Sequence, residues 1–303
     1  MKHLVESQQF DQKIIEKIFA FADSFSKNHL STKPILKDKI MASLFYEPST
    51  RTRFSFESAM HRLGGSVITT DNAQEFSSAA KGETLEDTIR VVNHYADIIV
   101  LRHFDKGASA RAAAVSKIPV VNAGDGTGQH PTQALLDLYT IKRELGRLNN
   151  LKIAFVGDLK NGRTIRSLSY LLGKFKDIEL FLVSPKKLRV SDDLKEYLDR
   201  HKVKYHEIEK LDGFLGKIDV LYQTRIQKER FSSLREYKKY KGGYILTLKD
   251  VNKMKSKSIV MHPLPRVDEI AIEVDLSPKA AYFKQAKYGV LVRMAILKYL
   301  LDN

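Results

Sequence analysis

The sequence predicts an α/β protein of two domains, each a parallel sheet flanked by helices. Three observations carry this. Short apolar runs alternate with segments of helical period, as in strand–helix–strand units. The alternation restarts at residue 151, after a long helical segment over 130–145. The chain has 303 residues, enough for two domains at roughly 100–200 residues each.

In order, Phe10, Ile14, Ile18, Phe19, Ala22 and Phe25 recur at helical spacing and predict a helix over 10–26. Ile40–Tyr46 reads as a strand. Phe56, Met60 and Leu63 mark a helix that stops at Gly64 and Gly65. Ser66–Thr70 reads as a strand, Gly82–Tyr95 as a helix and Asp97–His103 as a buried strand. A short helix over Ser109–Ser116, a strand over Pro119–Ala123 and the helix His130–Leu145 complete the first half. The second half offers strands at Leu151–Val156, Ile178–Val183, Asp219–Thr224 and Ser258–Met261. Helices are predicted at Thr164–Lys174, Asp192–His201 and Tyr288–Leu301. The expected division is 1–131, with 288–303 packing back on it, and 132–287.

Composition excludes several chemistries. The chain has no Cys, so disulfides, thiolate metal sites and a cysteine nucleophile are ruled out. No apolar run approaches the ~18 residues of a membrane span, and the first residues carry no secretory signal pattern. A cytoplasmic protein is expected. Lys and Arg total 51 against 36 Asp and Glu, a formal charge of +15. Residues 1–150 hold 19 basic and 17 acidic residues, +2, so the remaining +13 lies in 151–303. Nucleic acid, a membrane surface or anionic substrates could each account for it, as could a plain Lys-rich surface.

The strongest local signal is Ser49-Thr50-Arg51-Thr52-Arg53, where a predicted strand passes into a helix. Free N–H groups, the helix dipole, hydroxyls and guanidinium forks suit an anion there. The alternative is an ordinary Ser/Thr cap. Arg102 ends a predicted strand, where parallel sheets hold ligands. Gly124–Gly128 is glycine-rich, but Gln129 breaks the dinucleotide fingerprint, and a flexible turn is the expectation. His130 and Gln133, one turn apart, open the next helix; alone, His130 could be structural or functional. Ser77, Ser78 and Lys81 lie in a polar loop that alone reads as ordinary. In the second half, Arg163, then Arg225 with Gln227, then His262-Pro263-Leu264-Pro265-Arg266 each follow a strand. Two arginines at separate strand ends could clamp two carboxylates.

These residues stand within FYEPSTRTRFSFE (45–57), KGETLEDT (81–88), HPTQALLDLY (130–139), GDLKNGRT (157–164), TRIQKER (224–230) and HPLPRVDEI (262–270). Together they resemble the aspartate/ornithine carbamoyltransferases over nearly the whole length. Within them the chain looks like the catalytic chains that use aspartate. Ornithine enzymes, the nearest alternative, carry Cys in both His-containing motifs. The resemblance implies transfer of the carbamoyl group of carbamoyl phosphate to the amine of L-aspartate, an early step of pyrimidine synthesis, without cofactor or metal.

It further implies an active site in the cleft between the two domains and a role for each motif residue. Ser49, Thr50, Arg51, Thr52 and Arg102 would hold the phosphate. Thr52, Arg102 and His130 would polarise the carbamoyl oxygen. Gln133 and the backbone of Pro263 and Leu264 would hold the carbamoyl amine. Arg163, Arg225, Gln227, Lys81 and Leu264 would hold aspartate, while Arg53 would support the loop. Ser77, or alternatively Ser78, would arrive with Lys81 from a neighbouring subunit, which implies a homotrimer. A separate regulatory chain would be encoded elsewhere, and neither a nucleic-acid nor a membrane partner is expected.

Overall fold

The computed structural model describes residues 1–27, 34–76, 78–226, 233, 235, 237, 240 and 243–302. Contacts divide the chain into two compact units, Met1–Leu136 with Lys287–Asn303, and Asp137–Ala286.

The first unit begins with α1 (Gln12–Lys27) and β1 (Ile40–Phe45), followed by α2 (Thr50–Arg62) and β2 (Ser66–Asp71). It continues through α3 (Ala73–Phe76), α4 (Leu85–Val92), β3 (Ile98–His103), α5 (Ala108–Val115), β4 (Val120–Asp125) and the start of α6 (Pro131–Leu145), a helix that runs on into the second unit. All strand pairs are parallel, in the order β2-β1-β3-β4. The central strands β1 and β3, and β4 at one end of the order, are nearly all buried, while the strand at the other end, β2, has no buried residue. The α1 stripe buries Ile15, Ile18, Phe19, Ala22 and Phe25.

The second unit holds β5 (Leu151–Val156), α7 (Arg163–Leu172), β6 (Ile178–Val183), α8 (Asp192–Arg200), β7 (Lys204–Ile208) and β8 (Val220–Gln223). Then come α9 (Leu248–Lys253), β9 (Ile259–Met261) and α10 (Tyr282–Leu301), the last running on into the first unit. This sheet is again all parallel, in the order β7-β6-β5-β8-β9. Its core gathers Val156, Val183, Leu221, Leu246, Val260 and Tyr282 among others.

Within the first unit α10 meets α1 and α2: Lys17 lies over the Tyr299 ring, Lys298 over Phe21 and Arg293 over Phe56. Among the described residues, no helix is long and apolar enough to cross a membrane.

Several elements differ from expectation. The helix expected over 82–95 is only Leu85–Val92. Gly82 is left-handed at φ 93°, and the Thr84 hydroxyl accepts from the Asp87 N–H at 3.1 Å, a cap that starts the helix later. The last helix begins at Tyr282 rather than Tyr288, because Lys284, Gln285 and Lys287 suit a helix without adding apolar periodicity. Strand β7, KYHEI, is missed by apolar pattern because it is a polar edge strand. The turn after β4, expected to be flexible, is pinned. Asp125 Oδ1 accepts from the Gln129 N–H at 2.7 Å and Oδ2 from the Gly107 N–H at 2.9 Å. Gly126 at φ 49° donates to the His103 carbonyl at 2.9 Å.

Candidate active site

In each sheet, the connections leave the first strand of the unit in opposite directions. The point of reversal lies between β1 and β3 in one sheet and between β5 and β8 in the other. Ligands of open parallel sheets settle at the carboxyl ends beside such a point. Both points are lined by the arginine-bearing motifs.

In the first unit, β1 runs through Glu47 and Pro48 into α2. Ser49 stands at its N-cap, yet its hydroxyl makes no capping bond, and the first turn holds no acidic residue. A plain cap therefore does not account for the motif. The positive helix end, with Thr50, Arg51 and Thr52 in its first turn, is left to another acceptor. The two arginines separate clearly. Arg53 is 3.3 Å from Asp71 and 4.0 Å from Glu57. Arg51 is exposed and forms no ion pair among the described residues. Across the reversal point Arg102 pairs with Phe45 in the ladder. Its guanidinium lies 3.3 Å from Glu47 and donates to the Ala123 carbonyl at 3.4 Å, so it is held beside the turn. His130 and Gln133 are both buried at the start of α6, with His130 Nδ1 3.4 Å from the Thr132 hydroxyl. Lys81 ends a short 3-10 turn, is exposed and forms no ion pair among the described residues.

In the second unit the loop after β5 is built on a buried carboxylate. Asp158 accepts from the Asn161 N–H at 3.0 Å and from its side-chain amide, an Asx turn that leads through Gly162 to Arg163. Helix α7, like α2, starts with no side-chain cap and no acid in its first turn. On the other side of the reversal point, the Thr224 N–H and hydroxyl both donate to the Val156 carbonyl, at 2.8 and 2.9 Å. These bonds fix the start of the Arg225 segment. Only glycine fits opposite: Gly157 has φ 117°, and a Cβ there would lie 2.3 Å from the Thr224 carbonyl oxygen. Gly157→Ala is therefore expected to cost about 3 kcal/mol, read as a lower denaturant midpoint at unchanged slope.

Arg225 lines a pocket with Gln223, Thr224, Tyr244 and Glu269. Burial first, then the Glu209 charge, pushes the Tyr244 phenol up to about 12, so it stays a donor, here to the Glu209 carbonyl at 2.8 Å. After β9, His262 is buried and bonded at both ring nitrogens. Nδ1 accepts from the Leu264 N–H at 2.8 Å and Nε2 meets Glu269 Oε1 at 2.7 Å, so the ring proton sits on Nε2. Burial alone would raise the Glu269 carboxyl, but the His262 bond and backbone N–H groups hold it below the usual carboxylate range. Leu264 is thereby kept left-handed at φ 54°. Ser77 and Gln227, expected at the site, lie outside the described residues, as does much of a Lys- and Arg-rich stretch over 228–257.

The comparisons with known proteins agree on one family. The model of the aspartate/ornithine carbamoyltransferase carbamoyl-phosphate-binding domain matches residues 2–143, and that of the Asp/Orn-binding domain matches residues 149–300. This chain belongs to the aspartate/ornithine carbamoyltransferase family. Among carbamoyltransferases similar to it, the aspartate carbamoyltransferase catalytic subunit of Methanocaldococcus jannaschii is 53% identical, covering 100% of this chain and 99% of that protein. Aspartate carbamoyltransferase 3, chloroplastic, of Pisum sativum is 57% identical over 98% of this chain and 77% of that protein. A solved structure of the M. jannaschii catalytic subunit superposes with a TM-score of 0.92, covering 100% and 98% of the two chains. Aspartate transcarbamoylase of Trypanosoma cruzi, in complex with N-(phosphonacetyl)-L-aspartic acid, superposes at 0.93 with 41% identity, over 99% and 96%.

The motifs read from the sequence thus occupy the carbamoyltransferase fold's strand ends. Sequence reasoning missed the carboxylates behind them: Glu47 at Arg102, Asp125 under the His130 turn, Asp158 under Arg163 and Glu269 under His262. It also missed Gln223, buried with its amide donating to the Tyr244 carbonyl at 3.0 Å. Glu47, Asp158 and Glu269 sit inside the quoted motifs. A buried acid two or three residues from a turn was the signal available for them.

Proposed function

We propose that the chain transfers the carbamoyl group of carbamoyl phosphate to the amino group of L-aspartate, giving N-carbamoyl-L-aspartate and phosphate. The observation that carries this reading is Arg51, without an ion pair among the described residues, in the uncapped first turn of α2 at the reversal point of the first sheet. In the second unit Arg163 opens the uncapped α7 and Arg225 follows β8, on the two sides of that sheet's reversal point. Two anionic substrates call for two such sets, and relatives 53–57% identical carry the name aspartate carbamoyltransferase.

In this reading Ser49, Thr50, Arg51, Thr52 and Arg102 hold the phosphate. Thr52, Arg102 and His130 donate to the carbamoyl oxygen. Gln133 and the backbone carbonyls of Pro263 and Leu264 hold the carbamoyl NH2. Arg163, Arg225 and Gln227, with Lys81 and Leu264, hold aspartate. The amine nitrogen attacks the carbamoyl carbon and a C–N bond forms. The oxygen takes negative charge, stabilised by fixed donors. The C–O bond to phosphate then breaks, and the departing phosphate takes the amine proton. The residues orient two reactants and supply no covalent nucleophile.

The same reading makes the enzyme a cytoplasmic homotrimer in pyrimidine synthesis, with Ser77 and Lys81 contributed by a neighbouring subunit. Lys81, exposed and without an ion pair among the described residues, supports this. A separate regulatory chain would be an additional partner. The solution mass is expected to be that of three 34.6 kDa chains; a monomer that turns over would remove the shared site.

The activity test is turnover with carbamoyl phosphate and either L-aspartate or L-ornithine. Aspartate is expected to be carbamoylated and ornithine not; the opposite preference would overturn the reading. A phosphonate–aspartate bisubstrate analogue is expected to bind at least about 10²-fold more tightly than either half.

A further inference from the structure

We infer that Asp137 is a positioning residue for the aspartate half of the reaction, tying the His262–Leu264 turn and the Arg225 strand to one buried carboxylate. Asp137 is fully buried in the second unit. Its Oδ2 accepts from the Tyr222 hydroxyl at 2.7 Å and its Oδ1 from the Gln285 side-chain amide at 2.6 Å. Gln285 Oε1 in turn accepts from the His262 N–H at 3.0 Å. His262 then holds the Leu264 N–H through Nδ1 and Glu269 through Nε2.

Tyr222 stands three residues before Arg225, and the Thr164 hydroxyl beside Arg163 bonds the same phenol oxygen. The network therefore reaches all three strand ends that carry this unit's motifs. None of its side chains is placed to do chemistry. What it controls is where backbone and guanidinium groups stand, and a small misplacement of such groups is costly to rate.

The donor–acceptor pattern makes the inference testable. In Asp137→Asn one orientation of the new amide accepts from Tyr222 but turns its NH2 to the Gln285 NH2, and the other accepts from Gln285 but forces the Tyr222 hydroxyl to give up the donation it now makes. Flipping Gln285 moves the same donor–donor clash to the His262 N–H. Gln285→Glu alone sets two carboxylates against each other. The double variant, Asp137→Asn with Gln285→Glu, restores every pair. Its introduced amide accepts from Tyr222 and donates to the introduced carboxylate, which accepts from the His262 N–H.

The inference rests on the proposed aspartate transfer. Each single variant is expected to lower kcat/KM for aspartate about 10²-fold, through KM and kcat together. Affinity for inorganic phosphate, held by the first unit, should stay within about twofold. The double variant is expected to return to within about fivefold of the unaltered enzyme. Losses that simply add in the double variant, or single variants that turn over normally, would overturn the inference.

If Asp137→Asn does not fold, Gln285→Met carries the test, since it leaves Asp137 on Tyr222 and removes both bonds of Gln285, to Asp137 and to the His262 N–H. Its hydrogen exchange at His262 and Leu264 is expected to quicken about 10²-fold, with aspartate turnover falling in step. Unchanged exchange sinks the network. Should the unaltered chain fail to carbamoylate aspartate, the proposed activity falls, and the exchange rates still decide the network.

Discussion

Arg51→Ala is expected to lower kcat/KM for carbamoyl phosphate about 10³-fold while leaving the unfolding midpoint almost unchanged. The expectation follows from a contrast within one helical turn. Arg53 is spoken for by Asp71 and Glu57, whereas Arg51 meets no carboxylate among the described residues and stands at an uncapped helix start. A guanidinium without a partner adds little to folding, so its removal should cost little stability. When a phosphate dianion occupies the helix end, the same guanidinium forms a charge-assisted pair. Losing one side of such a pair costs about 2–5 kcal/mol. Arg51→Lys should recover only part of the loss, since an ammonium cannot present two parallel donors. Arg53→Ala is the opposite case, with lower stability and a smaller kinetic loss. Steady-state kinetics with a urea melt separates the two. An Arg51→Ala enzyme that keeps its affinity for carbamoyl phosphate would remove Arg51 from the phosphate set.

What the sequence makes legible follows a physical rule. Strands that are buried on both faces announce themselves as apolar runs, and Leu151–Val156 and Ile178–Val183 match expectation to the residue. Strand β7 alternates charge with half-buried side chains at a sheet edge, so no apolar run marks it. Functional side chains at strand ends are legible because their residue types are unusual just after an apolar run. Their supports are not, because they arrive from far away in sequence. Tyr222 and Gln285 lie 85 and 148 residues from Asp137. Nothing local in HPTQALLDLY tells Asp137 from a helical surface acid; only the packing that buries it does. The glycine turn fails for the same reason. Gly124–Gly128 has the composition of a flexible loop, yet one carboxylate, Asp125, fastens it to Gly107 and Gln129.

Arg225→Ala is expected to raise the KM for aspartate about 10²- to 10³-fold and to erase discrimination against one particular amide of the substrate. Arg225 follows a strand end fixed by two bonds from Thr224 to the Val156 carbonyl, so its backbone has little freedom. It is half-buried in a pocket whose described lining also includes Glu269. That acid would compete for the guanidinium, but its two oxygens are already taken, one by His262 and the other by the Val267 and Asp268 N–H groups. Glu269 is therefore held by other donors, and Asp268 is the second acid of that lining. Asparagine replaces the side-chain carboxylate of aspartate with an amide, and isoasparagine replaces the α-carboxylate. An arginine fork pairs well with a carboxylate and poorly with an amide, whose NH2 opposes its donors. The unaltered enzyme should reject both amides strongly. The Arg225→Ala enzyme should reject only the one whose change lies away from Arg225, and the amide it newly tolerates names the carboxylate that Arg225 holds. If both preferences survive the substitution intact, Arg225 shapes the pocket wall without touching aspartate, and the clamp must rest on Arg163.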